Sequence, residues 1–155
     1  MAPTERRCEP YAPHMAGSAS RGDRIHAWLM RLAAVGNLLY WADFFTAGRV
    51  RTSEDPAYVD FERAFPLADA YWSIAYLVAA RQLSRGQEAA VGTGIAAGSA
   101  MVFLGCMDLL YDLQHKKFSE RTPEMAAEAT IVAFSLTFGP ATMIRLWRAR
   151  HRLQA

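Results

Sequence analysis

Four long apolar stretches, separated by short polar segments, dominate the pattern of the chain. They cover residues 25–45, 67–83, 89–113 and 125–147. A helix of roughly 20 mostly apolar residues crosses the hydrocarbon core of a bilayer, whereas a helix of a soluble protein keeps a polar face along its length. The third stretch has no charged residue between Ala89 and Met107. The pattern therefore predicts four membrane-spanning helices and favours them over a soluble four-helix bundle.

Proline and glycine mark the ends of these stretches. Pro66 and Pro123 open the second and fourth stretches, at the first-turn position that proline tolerates, and Thr122 is a suitable N-cap. Gly48 and Gly86 follow the first and second stretches, where a helix commonly ends in glycine. Short connections join neighbours antiparallel, so the fold class predicted is all-α, an integral membrane four-helix antiparallel bundle.

The predicted bundle forms one domain over residues 23–150. The first 22 residues are rich in proline, arginine and small residues, and no apolar segment follows the early arginines. This composition predicts a disordered tail and not a signal peptide. Residues 151–155 are expected to form a second short tail.

The two ends of the predicted bundle differ in charge. The N-terminal segment, the 81–88 connection and the C-terminal segment together carry eleven basic residues against four acids, and the opposite end carries six against eleven. Because the positive-inside rule counts Lys and Arg, both termini are expected in the cytoplasm, with the protein in the cell membrane. The arginines are explained by topology and by anionic lipid in the bilayer. The net charge of +2 gives no argument for nucleic acid as a partner.

Acidic side chains from all four stretches lie close to the hydrocarbon at the acid-rich end: Asp43, Asp69, Asp108, Asp112, Glu124 and Glu128. Ionisable residues in a membrane are costly and are functional candidates by default. Asp69, Glu124 and Glu128 fall in first turns, where the helix dipole favours an acid, so capping explains them as well. Asp108 and Asp112 fall in a last turn, four residues apart, and therefore need a cation, a shared proton or a salt bridge.

The third stretch has one polar and small-residue stripe. Steps of four and three connect Gly94, Gly98, Met101, Gly105, Asp108 and Asp112, which places them on one side of a helix. Gly94 and Gly98 form a GxxxG pattern that lets helices approach closely, within one chain or between two. The stripe predicts a bundle that is tight at the basic end and opens into a polar pocket at the acidic end.

The other stretches supply polar faces for the same pocket. We predict a ligand-binding or cation-binding site formed by Asp108, Asp112, Asp43, Asp69, Glu128, Tyr40 and Tyr76. Trp41 and Trp72 are expected to anchor the interface, although they can also supply an aromatic surface for a cation. The residues 53–65 predict a short capped helix, with Asp55 as N-cap, that connects the first two spans and can partly cover the pocket.

Three functions fit such a pocket. It can bind or handle a cation, a proton or a small amphiphile. It can serve an enzyme that acts on a lipid or isoprenoid, with a carboxylic acid as proton donor. The acids can also form an internal salt-bridge network in a structural or accessory subunit, as a homo-oligomer or within a larger membrane complex.

The sequence assigns no catalytic residue, metal or cofactor. It has no CxxC, HExxH, P-loop or GxSxG pattern. Cys8 and Cys106 fall on the tail and inside the third span, so we expect no disulfide. No histidine falls in the middle of a span, which argues against a bis-histidine haem within the bundle.

Asp43 at the end of the first stretch and Pro123-Glu124…Glu128 at the start of the fourth give the chain a layout that resembles the emopamil-binding-protein-like four-span proteins. The resemblance implies cytoplasmic termini and acids at the non-cytoplasmic ends of the helices. It also implies a sterol-like or cationic amphiphile as the ligand.

Overall fold

The computed structural model describes residues 19–51, 53, 55–119 and 121–154, and these residues contain helices but no β-strand. The helices are α1 (Arg21–Thr46), α2 (Pro56–Glu62), α3 (Pro66–Ser84), α4 (Ala89–Gln114) and α5 (Pro123–Gln154), with a 3-10 turn at Lys117–Ser119. Each of the four long helices contains one predicted stretch. The all-α, four-helix prediction is confirmed, and most of the predicted N-terminal tail, residues 1–18, lies outside the described residues.

Local sequence signals set the helix ends as expected. α3 and α5 begin at Pro66 and Pro123, and the Thr122 hydroxyl accepts a hydrogen bond from the Met125 backbone N–H at 3.1 Å. The glycines after α1 and α3 have φ angles of 69° and 67°, a conformation that side chains other than glycine rarely adopt.

α1 begins before its predicted span, and α5 continues after its predicted span. Ser20 and Asp23 form a capping box, in which the Asp23 N–H donates to Ser20 Oγ and the Ser20 N–H donates to the Asp23 carboxylate. α1 therefore begins at Arg21, within the segment that was predicted to be a tail. At the other end of the chain α5 continues to Gln154.

The long helices pack in chain order, α1 on α3, α3 on α4 and α4 on α5. Arg31 donates to Ser84 Oγ at 2.9 Å, and Asn37 donates to Ser73 Oγ at 3.0 Å, so α1 and α3 are antiparallel. We call the end that contains α2, the N-termini of α3 and α5 and the C-termini of α1 and α4 the acidic end. The opposite end, with the N-terminus of α1 and the C-terminus of α5, is the basic end.

Glycines bring α4 and α5 into close contact within the chain. A Cβ atom on Gly98 would lie 2.9 Å from the carbonyl oxygen of Gly139, and Gly94 lies directly under the Leu146 side chain. The GxxxG pattern thus serves a contact inside the bundle, where the absence of side chains lets two backbones meet.

Only two of the long helices, α4 and α5, are apolar enough over their length to cross a membrane by composition. Four spans were predicted, so composition supports half of them. α1 is made more polar by His26, Arg31 and Asn37, and α3 by Asp69 and Ser73.

Gly98→Ala is expected to destabilise the protein, whereas Gly92→Ala is not. Alanine is favoured over glycine in a helix interior by roughly 1 kcal/mol, and a Cβ at Gly92 meets nothing within 4 Å. Gly92→Ala should therefore leave the Tm unchanged or raise it, whereas Gly98→Ala forces a Cβ onto the Gly139 carbonyl and should lower it. Thermal unfolding of the purified protein measures both. Equal Tm values for the two variants would contradict the backbone contact.

Candidate ligand-binding cavity

The acidic half of the bundle contains a cavity of about 900 Å³ that is open at one side. Its walls come from all four long helices, from the loop after α1 and from α2, and they are mainly aliphatic and aromatic. Five carboxylates line it: Asp43, Glu62, Asp69, Asp108 and Glu128. The polar stripe of α4 faces inward as predicted, since Gly94, Gly98, Met101, Gly105 and Asp112 are buried and Asp108 is half-buried.

Most of the predicted site residues meet in this cavity. Asp43, Asp69, Asp108, Glu128 and Tyr40 line it. Asp112 and Tyr76 do not: Asp112 is buried one turn beyond Asp108 on α4, and Tyr76 is buried towards the basic end, with its ring 5.8 Å from that of Phe138. The structure therefore places the cavity around Asp108 and not around an Asp108–Asp112 pair.

Asp69 is held by two tryptophans. The indole of Trp41 donates to one carboxylate oxygen at 2.9 Å, and the indole of Trp72 donates to the other at 2.5 Å. The expected anchoring of these tryptophans at the interface is wrong, because they are only 8% and 5% exposed. A buried indole N–H needs an acceptor, and Asp69 supplies it. Asp69 also lies in the first turn of α3, as predicted, where the helix dipole favours a carboxylate, although α3 has no side-chain cap.

Asp43 has a structural partner. Arg49 forms an ion pair with its Oδ1 at 2.5 Å, and the Val50 backbone N–H donates to its Oδ2 at 3.1 Å. These contacts fold the loop after α1 back over the helix C-terminus. The Asp43 carboxylate is thus neutralised by Arg49 where it lines the cavity.

Asp108 and Glu128 are different, because neither forms an ion pair or a hydrogen bond with any side chain in the described ranges. One carboxylate oxygen of Glu128 is fully buried without a hydrogen-bond partner. A buried polar atom without a partner is costly. These two carboxylates, from α4 and α5, are therefore the groups in the cavity that are ready to receive a donor from a ligand.

Glu62 is a member of the site that sequence analysis missed. It is the last residue of α2, 7% exposed, and it lines the cavity. Burial, with the negative charges of Asp108 and Glu128 next in size, raises the pKa of Glu62 to about 8, although a hydrogen bond with Tyr58 partly opposes this. The sequence pattern could have indicated that Glu62 faces inward, because it lies four residues after Tyr58 and three before Phe65, on the apolar side of α2.

The cavity is closed towards the basic end and open at one side. Towards the basic end, His26 Nε2 of α1 and Thr142 Oγ1 of α5 are 3.1 Å apart, and Phe138 packs against the His26 ring. In the acidic half, Leu39 of α1 and Phe134 of α5 line the cavity and are 65% and 41% exposed. The cavity therefore reaches the molecular surface between α1 and α5.

The geometry does not offer a ready metal site. Across the described residues, no group of three or more His, Cys, Asp or Glu side chains is arranged to hold a metal ion. The carboxylates are spread around an apolar volume, an arrangement that suits a ligand with an extended body more than a bare ion.

No protein-family model, curated protein or solved structure matches the chain. The resemblance to the emopamil-binding-protein-like proteins is therefore carried only by Asp43, Pro123, Glu124 and Glu128.

Glu62 should make the fold less stable as the pH rises. Its pKa is about 8 in the folded protein against an ordinary value of 4.5, so between these pH values the folded state holds a proton that the unfolded state has lost. The contribution of Glu62 is therefore most favourable below pH 4.5 and decreases until the pH passes the folded pKa. Glu62→Gln should remove this dependence and be more stable than the wild type at pH 8.

Asp60→Asn is the matched control, because Asp60 is exposed on the same short helix. Chemical unfolding of the wild type and both variants at pH 5, 6.5 and 8 measures the effect. If the wild type and Glu62→Gln show the same pH profile, Glu62 is not buried in the acidic cluster.

Proposed function

We propose that the protein spans the membrane four times and binds a small amphiphile in the acidic cavity, with the apolar body of the ligand in the cavity and its cationic or hydrogen-bond-donating end at Asp108 and Glu128. The observation that carries this proposal is the combination, in one cavity, of mainly apolar walls and two carboxylates that form no ion pair or hydrogen bond with any described side chain, with one Glu128 oxygen fully buried and unsatisfied.

The size and chemistry of the cavity support an amphiphile over a bare cation or proton. Sites for small organic molecules usually have volumes of about 300–1,000 Å³, with mostly apolar walls and a few polar groups that orient the ligand. A cavity of about 900 Å³ falls in this range. Trp41, Trp72 and Tyr40 add aromatic surface near the carboxylates, and aromatic faces attract a cationic group.

The surfaces of α1 and α3 support membrane placement for these two helices as well. Large apolar side chains are exposed on both, among them Ile25, Trp28, Leu32 and Leu39 on α1 and Leu67, Tyr71, Ile74 and Val78 on α3. Exposed apolar surface on this scale is unusual for a soluble monomer. The proposal thus extends the two spans supported by composition to all four long helices.

The polar residues that lower the hydropathy of α1 and α3 are satisfied inside the bundle. Arg31 donates to α3, Asn37 donates to Ser73, and His26 pairs with Thr142 of α5. Polar groups in membrane helices face the bundle interior and hydrogen-bond across helices. Their presence is therefore compatible with spanning. The arginine count supports a topology with the basic end in the cytoplasm and the acidic half of the bundle on the far side of the membrane.

Acid catalysis on a lipid or isoprenoid is a second candidate, favoured by Glu62. A carboxylic acid with a pKa of about 8 holds its proton at neutral pH and can act as a general acid. An accessory subunit fits less well, because a salt-bridge network would need basic partners for Asp108 and Glu128, and the described part of the chain provides none.

Membrane placement predicts that the protein stays in the membrane pellet after alkaline carbonate extraction. In a Cys8→Ser/Cys106→Ser background, Ser119→Cys at the acidic end should react with an impermeant maleimide on intact cells. Gln87→Cys at the basic end should react only after lysis. Both positions are exposed. Release by carbonate, or equal labelling of the two sites on intact cells, would overturn the proposed topology.

Asp108→Asn is expected to weaken the binding of a cationic amphiphile about tenfold, equivalent to about 1.4 kcal/mol. The probe is a dansyl-labelled alkylamine, and the readout is energy transfer from the tryptophans, of which Trp41 and Trp72 line the cavity. The corresponding uncharged alkylamide should bind more weakly than the amine to the wild type and equally to both proteins.

Asp60→Asn is the control, since it removes one acidic charge at the same end but outside the cavity. If the wild type binds amine and amide equally, or if both variants lose affinity alike, Asp108 is not the group that receives the ligand.

A further inference from the structure

A second groove lies at the basic end, between the start of α1 and the last turns of α5. It has a volume of about 510 Å³ and is lined by Ser20 and Asp23 of α1 and by Ala141, Ile144, Arg145, Arg148, Ala149 and Arg152 of α5. The site proposed above does not use any of these residues.

The groove has more positive charge than its single acid can balance. Asp23 is 1% exposed and pairs with Arg152 at 2.9 Å and with Arg145 at 3.5 Å. Ser20 also donates hydrogen bonds to this carboxylate from its backbone N–H and its hydroxyl, at 2.9 and 2.7 Å. Arg148, on the same face of α5, forms no ion pair within the described ranges.

The start of α1 adds a further positive contribution. A helix N-terminus has a partial positive charge, and Arg145 lies against it: a Cβ on Gly22 would be 2.7 Å from Arg145 Nη2. Arg145 Nε is buried without a hydrogen-bond partner. The charge of Arg145 and the partial positive charge of the helix N-terminus therefore lie close together beside the single carboxylate of Asp23. An additional anion in the groove would balance this excess of positive charge.

The groove changes from apolar to basic along α5. Ala141 and Ile144 are exposed one turn before Arg145 and Arg148. Trp147, 56% exposed and covered by Arg150 at 4.1 Å, lies in the same turn as these arginines. Exposed tryptophan marks the level of the headgroups in membrane proteins. The basic part of the groove is thus at headgroup level, and the apolar part is at the level of the acyl chains.

We propose that this groove binds one anionic phospholipid of the leaflet at the basic end, with its phosphate at Arg145 and Arg148 and an acyl chain along Ala141 and Ile144. Basic pockets between membrane helices on the cytoplasmic side are suited to anionic headgroups, and arginine binds phosphate in a bidentate manner. The inference rests on the proposed membrane placement but not on a ligand in the acidic cavity.

The test uses the purified full chain in non-ionic detergent and native mass spectrometry with phosphatidylglycerol or with phosphatidylcholine of the same acyl chains. The wild type should retain one phosphatidylglycerol in preference to phosphatidylcholine. Arg145→Gln/Arg148→Gln should weaken this retention at least tenfold. The control Arg81→Gln/Arg85→Gln makes the same charge change at the same end, outside the groove, and should not weaken it.

The single variant Arg148→Gln tests whether misfolding explains the result, since Arg148 forms no ion pair within the described ranges. This variant should also weaken the retention of phosphatidylglycerol. Asp108→Asn should retain the lipid, which separates this site from the acidic cavity. Equal loss in the groove and control variants, or no preference for phosphatidylglycerol, would overturn the proposal. The proposal would also be overturned if millimolar glycerol phosphate displaced the bound phosphatidylglycerol as effectively as added phosphatidylglycerol does, because the groove would then be a site for a free anion.

Discussion

The contact between α4 and α5 at Gly98 and Gly139 fixes the arrangement on which the cavity depends. The long helices pack in a series, α1 on α3, α3 on α4 and α4 on α5. In the acidic half, the position of α5 relative to α1 is therefore set through α3 and α4, whereas near the basic end α1 and α5 also touch directly. Because the α4 and α5 backbones meet, α5 is held against α4 and does not move across to fill the space beside α1. The cavity is the volume that remains.

Burying the five carboxylates around the cavity costs free energy, and contacts within the fold offset only part of this cost. Trp41 and Trp72 satisfy Asp69, and Arg49 neutralises Asp43. Asp108 and Glu128 are left without such partners among the described residues, and their charges, after burial itself, favour the protonated form of Glu62. Natural proteins keep unsatisfied polar groups mainly where function requires them, and that pattern is the physical argument for a binding site at this place.

The positions of the helices and the inward stripe of α4 could be predicted from the sequence, because hydropathy, proline and glycine act locally. The sequence could not predict which of the acidic side chains have partners in the fold. Whether Asp69 meets two indoles depends on how α1 lies across α3, and whether Glu62 enters the cavity depends on how α2 folds back. The helical stripe correctly put Asp112 inside, but a stripe does not show where along the helix the free volume ends. The partners of Asp23 could not be predicted either, since Arg145 and Arg152 follow more than 120 residues later in the chain.

The cavity opens between the first and the last helix of the chain, which are the two long helices farthest apart in the sequence. No loop joins α1 to α5, so the width of the gap is not limited by the length of any connecting segment. Near the basic end, contacts of His26 with Thr142 and Phe138, and ion pairs of Asp23 with Arg145 and Arg152, hold the two helices together directly. The width of the opening is therefore set by the packing of the helices in series and by these contacts, and not by a loop that joins the two helices.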